Sequence, residues 1–296
     1  MKNRKMLLTV TLLLFLAAAS VLGVRLLRHP ARAEWELTQY ACASGNNACF
    51  YSLYNPGDQT LYLLDGGWTA NAEQVRQVIR EKGGRVKAWF LTHYHEDHIG
   101  AFNAVYPEFR DRIEAVYATP LDWETFEPSA RDWDSPETFR LFLDQTEGDS
   151  RIHFLHRDDT LDIPGFHVQV FNAWDQEVQE LVTDYANNCS LVLKLTGREN
   201  SVLFLGDMSD PALGNLLLER YGDQLHADFV QAAHHGNWGQ KPAFYERLRP
   251  SVLFFDAPEW LMVGDTYDAR ELKKWCDSQG ITTCDYRTAP NRMILR

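Results

Sequence analysis

The chain has 296 residues, 45% of them hydrophobic, and a formal net charge of −12 at neutral pH. Such a length can bury a single large core, and neither an internal repeat nor a low-complexity linker breaks it. Residues 1–33 hold six Lys or Arg and no Asp or Glu, so taking them away leaves −18 on residues 34–296. That balance repels long polyanions and argues against a DNA- or RNA-processing surface. The few basic pairs, Arg247 with Arg249 and Lys273 with Lys274, read as solvated helix faces.

In chain order, Lys2, Arg4 and Lys5 precede an uncharged, mostly apolar run over residues 6–24, about the length that spans a bilayer. It reads as a transmembrane anchor or a signal segment. Ala31-Arg32-Ala33 has the small residues of a cleavage site, yet the run is long for a removed signal and Arg25 and Arg28 intervene, which favours the anchor. Positive charge flanks both ends of the run, so orientation is less constrained than insertion. Residues 1–33 are expected to be this targeting element with a short linker. Residues 34–296 are expected to be one catalytic domain outside the cytoplasm, membrane-anchored or, if cleavage occurs, secreted. Cys42 lies near Cys49 and Cys276 near Cys284, which allows two local disulfides with Cys189 left over; five unpaired thiols are the alternative.

Val75, Val78 and Ile79 have helical spacing within residues 72–82, before Gly83-Gly84. Residues 86–92 read as a short buried strand, followed by His93-Tyr94-His95-Glu96-Asp97-His98 and a helix carrying Phe102 and Val105. Strand-like runs cover residues 113–119, 152–155, 167–171, 191–195 and 202–205. Residues 120–150, with Trp123 and Trp133, read as an insertion near the mouth of a site, carrying a helix over 135–145. Its aromatic residues could line a cleft or pack the insertion onto the body. Helices are expected over 209–221, 242–248 and 268–279.

The chemistry concentrates at residues 93–98. Their spacing, H-x-H-x-D-H at the carboxyl end of a strand, places three imidazoles and a carboxylate within one turn of chain, where open α/β sheets put their sites. Imidazole and carboxylate suit zinc, manganese or iron. Alternate residues His93 and His95 can face one metal while Asp97 and His98 reach a second. Two metals that share a water bring its pKa from about 15.7 towards about 7 and clamp the attacking and leaving oxygens of a displacement. His29, His153, His156, His167 and His226, each alone, read as surface or satisfied core residues. Two later strands also end in chemistry: residues 201–205 run into Gly206-Asp207, and residues 228–233 run into His234-His235-Gly236.

With Leu64-Asp65-Gly66-Gly67, these pieces resemble the metallo-β-lactamase superfamily from about residue 36 to the C-terminus. The stretch Asn187-Asn188-Cys189-Ser190-Leu191-Val192-Leu193 and the His-His-Gly triplet are similar to the hydrolase domain of ComEC-type competence proteins and their stand-alone relatives. The resemblance implies an α/β fold, an αββα sandwich of two mixed sheets, and two divalent metal ions, zinc or manganese. It implies His93 and His95 on the first metal, Asp97 and His98 on the second, and Asp207 between them. One of the His234-His235 pair would complete the second site, His235 being favoured, with His234 then meeting the phosphate or oxyanion of the substrate. Asp97 or Asp207 would steer the proton of the attacking water, which acts as a metal-held hydroxide. Asp65 would orient a ligand from behind. Where many superfamily members place a further metal-binding His, this chain has Asn187-Asn188, either a weak metal or substrate contact or a turn that starts the next strand. Cys189 has no activating His in sequence and reads as a half-buried thiol rather than a nucleophile.

The expected function is hydrolysis of phosphoester bonds, phosphodiester or phosphocholine-type, in a small-molecule or cell-envelope substrate. Hydrolysis of a lactone, β-lactam or other acyl substrate, and a non-catalytic metal-binding or sensing role, are the alternatives. No protein partner is implied.

Overall fold

Alternate residues of the strands enter two different cores, which is why so many strand runs are apolar on both faces. The computed structural model describes residues 34–296, which form one unit. The expected anchor or signal lies outside the described residues. Among those described, no helix is long and apolar enough to cross a membrane.

The strands are β1 Trp35–Gln39, β2 Phe50–Asn55, β3 Thr60–Asp65, β4 Ala88–Phe90, β5 Val116–Ala118, β6 Ile152–Phe154, β7 Thr160–Ile163, β8 Phe166–Asn172, β9 Val192–Thr196, β10 Ser201–Phe204, β11 Phe229–Gln231, β12 Val252–Phe254, β13 Thr282–Cys284 and β14 Asn291–Leu295. They make two mixed seven-stranded sheets, ordered β14-β1-β2-β3-β4-β5-β6 and β13-β12-β11-β10-β9-β8-β7. In the first sheet β14 to β3 pair antiparallel and β3 to β6 parallel. In the second, β7 to β10 pair antiparallel and β10 to β13 parallel. Each sheet therefore switches from antiparallel to parallel at one strand, β3 or β10, and the loops after those strands and their parallel neighbours β4 and β11 carry the chemistry.

Tyr51, Leu53, Tyr62, Leu64 and Phe90 of the first sheet share a core with Val168, Leu193, Val202, Phe204 and Phe254 of the second. The Tyr51 ring meets those of Phe204 and Phe254 edge-on at 5.2 and 5.8 Å, so the sheets pack face to face. The opposite residues of these strands, Leu63, Trp89 and Leu203, with Leu91 and Leu205 just past the ends of β4 and β10, join a second cluster with the helices. The longer helices are α1 Ala72–Glu81, α2 Glu96–Phe109, α3 Pro136–Thr146, α4 Pro211–Tyr221, α5 Pro242–Leu248 and α6 Asp268–Gln279. The chain is thus an α/β sandwich of two mixed sheets.

Helix α1 stops where Gly83 and Gly84 take φ of +96° and +74°, a conformation costly for residues with a Cβ. Sequence periodicity does not find β1, β2, β7, β12, β13 or β14. The last three are short or follow turns, and β7 is an exposed edge that pairs, among the described residues, with β8 alone. All five cysteines are free and buried, which matches unpaired thiols rather than local disulfides. Cys189 is fully buried, not half-buried: it packs in the cluster between sheet and helices, with its Sγ 3.2 Å from the Ala186 carbonyl. Burial pushes its thiol well up, which removes it as a nucleophile.

Candidate metal centre

The loop after β4 enters α2 within the H-x-H-x-D-H run. His95 is the extended residue preceding the helix, so Asp97 and His98 occupy the first helical turn while His93 and His95 precede it. A carboxylate in a first turn is favoured by the helix dipole. Gly100 lets α2 sit close to the loop after β3: a Cβ there would stand 2.5 Å from the Thr69 nitrogen. Gly66 donates from its backbone to the His98 carbonyl at 2.8 Å, fastening that loop to the helix start.

Asp65, at the end of β3, fixes the orientation of His98. Its Oδ2 lies 2.7 Å from His98 Nδ1 and accepts from Thr92 Oγ1 at 2.7 Å, while Oδ1 accepts from the Thr92 backbone at 2.8 Å. His98 Nε2 is thereby turned towards Asp207 Oδ1, 3.1 Å away. Cys49, Asp65 and His98 also stand close together, but Asp65 is committed to Thr92 and His98, so this trio supports the centre from behind.

The second sheet contributes from two strand ends. Gly206, at φ +55°, would collide with Ser190 if it carried a Cβ, and the Ser190 hydroxyl accepts the Asp207 backbone N–H at 2.9 Å. After β11, His234, His235 and Gly236 all take left-handed φ, +53°, +59° and +85°. This strain costs about 1–2 kcal/mol per non-glycine residue and is held by its surroundings. His234 donates its backbone N–H to the Gly206 carbonyl, and Ala233 donates to the Tyr245 hydroxyl, each at 3.0 Å.

One ligand atom each from Asp97, His98, Asp207 and His235 lies within 4.8 Å of all the others. His235 Nε2 is 3.0 Å from Asp97 Oδ2 and 3.2 Å from Asp207 Oδ2. His93 Nε2 lies 4.0 Å from Asp207 Oδ2 and 3.1 Å from His95 Nδ1, and its ring stands 4.0 Å from that of His98. His234 Nε2 stands 3.7 Å from Asp207 Oδ2, outside the four-residue grouping, and lines the cavity.

The donor set fits a metal. His98 Nε2, His235 Nε2 and Asp207 Oδ1 are buried without a hydrogen-bond partner, a costly state that a shared cation would relieve. Electrostatics agree. Burial would raise the Asp207 carboxyl, but the imidazoles of His235, His98 and His234 hold it well below the usual range. Burial would lower His98 and His235, but Asp207, with Asp65 and Asp97, raises both, His235 to about 10. Burial lowers His93 and His234, keeping them neutral.

Three supporting residues have no signal in the sequence pattern. Asp134, within the 120–150 insertion, places Oδ1 2.9 Å from His95 Nε2, leaving Nδ1 of His95 facing His93. Asn47 donates to Asp97 Oδ2 at 2.8 Å. Cys49 donates its backbone N–H to the Asp97 carbonyl at 3.0 Å, tying the Asn47 loop to α2. Spacing cannot reveal these groups, because each arrives from a different segment. The insertion divides its two tryptophans: Trp123 is half-buried against Phe126 and Phe139, whereas Trp133 is exposed and lines the cavity.

The Asn pair divides as well. Asn188 is structural: its Oδ1 accepts from the backbones of Ser209 and Asp210 at 3.0 and 2.9 Å. Asn187 lines the cavity, and its buried Oδ1 has no hydrogen-bond partner. The remaining described histidines lie away from the centre. His153 and His156 are exposed, His167 faces Asp162, and His226 faces Asp223; His29 is outside the described residues. The cavity above the centre has a volume of about 480 Å³, and none of its lining residues is Lys or Arg.

A family model of the metallo-beta-lactamase superfamily matches residues 45–240, and the chain belongs to that superfamily. Among solved structures, the metallo-beta-lactamase fold protein YhfI from Bacillus subtilis is similar at 14% identity and a TM-score of 0.52, over 88% of this chain and 99% of that one. Igni18, described as a metallo hydrolase from the archaeon Ignicoccus hospitalis, matches at 12% identity and 0.52, over 89% and 99%. CmlA, a diiron beta-hydroxylase from Streptomyces venezuelae, matches at 16% and 0.55, over 90% of this chain and 55% of its own. At these identities the likeness shows the fold alone. A search of curated proteins finds no match.

Proposed function

We propose that the chain is a metal-dependent hydrolase of phosphoester bonds, in substrates of phosphodiester or phosphocholine type. The observation that carries this reading is the position of Asp207. His98 faces its Oδ1 and His235, with Asp97, its Oδ2, while His93, paired with His95, stands 4.0 Å from the same Oδ2. Two divalent ions, zinc or manganese, would supply Lewis acidity and bring a coordinated water towards neutral pKa. His93, His95, Asp97, His98, Asp207 and His235 would hold them, with Asn187 as a weak oxygen contact on the more open side.

The chain's own groups supply the rest. Asp207 and Asp97, both held below the ordinary carboxylate range by imidazoles that outweigh their burial, stay ionised and can accept the proton of the attacking water. His234, neutral on the cavity wall, offers an N–H to a phosphoryl oxygen without adding fixed charge. Asp65 and Asp134 hold the His98 and His95 rings in the orientation the ligands need. The cavity suits a small substrate, and with −18 on residues 34–296 a long nucleic acid is disfavoured. The ComEC-type likeness supports the phosphoester preference. With residues 6–24 as a membrane anchor, the domain would act on envelope or extracytoplasmic phosphoesters.

The test is turnover by the full-length chain of bis-p-nitrophenyl phosphate, p-nitrophenyl phosphorylcholine and nitrocefin, in zinc and in manganese. Phosphodiester turnover that His95→Ala abolishes is expected. Turnover of nitrocefin alone, or none with metal bound, would overturn the reading.

A further inference from the structure

Beside the metal centre lies a second recess of about 310 Å³, sharing Asn47, His234 and Trp238 with the main cavity and bounded further out by Trp260 and Tyr267. Trp238 meets Tyr267 at a ring separation of 6.2 Å and an angle of 55°; Trp260 meets Tyr267 at 5.5 Å and 67°. The rings are thus inclined walls rather than parallel plates.

Trp238 bears two costs that packing does not explain. Its φ is +53°, a strained value for a bulky residue, and its side chain is 60% exposed. Strain and an exposed indole together beside a reaction centre mark a residue kept for contact with a ligand. Trp260 is also 45% exposed, yet its Nε1 donates to the Gly45 carbonyl at 3.1 Å, which fixes the ring on the loop that carries Asn47.

The shape and charge of the recess select what it can hold. Parallel aromatic faces would sandwich a planar base; inclined faces suit a rounded group approached from several sides. None of the residues lining either cavity is Lys or Arg, and Glu96 and Asp184 line the adjoining one. On a domain of charge −18, an organic cation is drawn in and an anionic arm is not. We infer that Trp238, Trp260 and Tyr267 form a substrate subsite for a quaternary-ammonium group, positioned so that a phosphoester joined to that group by a short linker reaches Asp207 and His234. Its use during turnover rests on the phosphoester reading above, whereas its binding of a cation does not.

Two readouts separate these. Tryptophan fluorescence of the full-length chain is titrated with choline and with its uncharged carbon isostere, 3,3-dimethylbutan-1-ol, at constant ionic strength. Choline should bind about tenfold more tightly, and Trp238→Ala should erase the difference while Trp238→Phe keeps most of it. In parallel, kcat/KM for p-nitrophenyl phosphorylcholine should exceed that for ethyl p-nitrophenyl phosphate about tenfold, with Trp238→Ala bringing the two together through KM. Equal binding of choline and the alcohol, or a preference that survives Trp238→Ala, overturns the subsite even if both esters are hydrolysed. A Trp238-dependent choline preference with neither ester hydrolysed upholds the subsite and overturns the hydrolase reading.

Discussion

The closed side of the centre is Asp97, His98 and His235 with Asp207, drawn from separate loops and close enough to enclose a cation. The open side is His93 and His95, with the Asn187 amide as the remaining candidate. The closed side is backed by Asp65 and Thr92, and Asn47 steadies Asp97. The open side has Asp134, borrowed from an insertion, behind His95, and the Thr92 hydroxyl 3.2 Å from His93 Nδ1. A centre built this way would hold its two metals unequally, more loosely where His93 and His95 are joined only by the Asn187 amide.

The largest effect expected is from Asp207→Ala. It removes the carboxylate common to both sides and leaves His98 and His235 facing an uncompensated gap, so both metals and all turnover should be lost. Metal analysis and the phosphodiester assay check this, and retention of either metal would break the comparison. Asp65→Asn should weaken the closed side about 10- to 100-fold in metal affinity, the usual cost of losing a carboxylate behind a ligating histidine, and the open side less, since Asp65 reaches His93 only through the Thr92 hydroxyl; competition with a chelator reads the two separately. Asp134→Asn should do the reverse, about tenfold on the open side alone. Asn187→His should sharpen the contrast from the other direction, tightening the looser metal by about tenfold, seen as a higher metal content after dialysis.

How much of this the sequence makes legible follows from where each residue sits. The ligands at 93–98 share one turn of chain, so their spacing alone declares them. Asp207 and His235 become legible because each ends an apolar strand, and because the superfamily likeness joins them to the first group. Asp65 is found in the same way. Asn47 and Asp134 are not, because each reaches the centre through a loop with its own local logic: Asn47 in a turn held by backbone bonds, Asp134 in an insertion whose register nothing in the spacing fixes. The Asn pair shows the same limit at single-residue scale. Adjacent identical residues turn to different tasks, Asn188 to the backbone of Ser209 and Asp210 and Asn187 to the cavity, because successive residues of a helix point about 100° apart. Among the strands, runs buried on both faces stand out. Short parallel strands such as β12 and the exposed edge β7 do not, since pairing rather than pattern defines them.

The central claim is a centre for two unequal metals, and calorimetric titration of the metal-stripped full-length chain with zinc, in two buffers of different ionisation enthalpy, tests it most directly. His98 and His235 have raised pKa values and so carry protons at pH 7 that a metal must displace. Two binding events are expected, the tighter releasing about two protons per chain and strengthening as pH rises towards 10. A chain that takes up no zinc, or takes it up with no proton release, would contradict the claim.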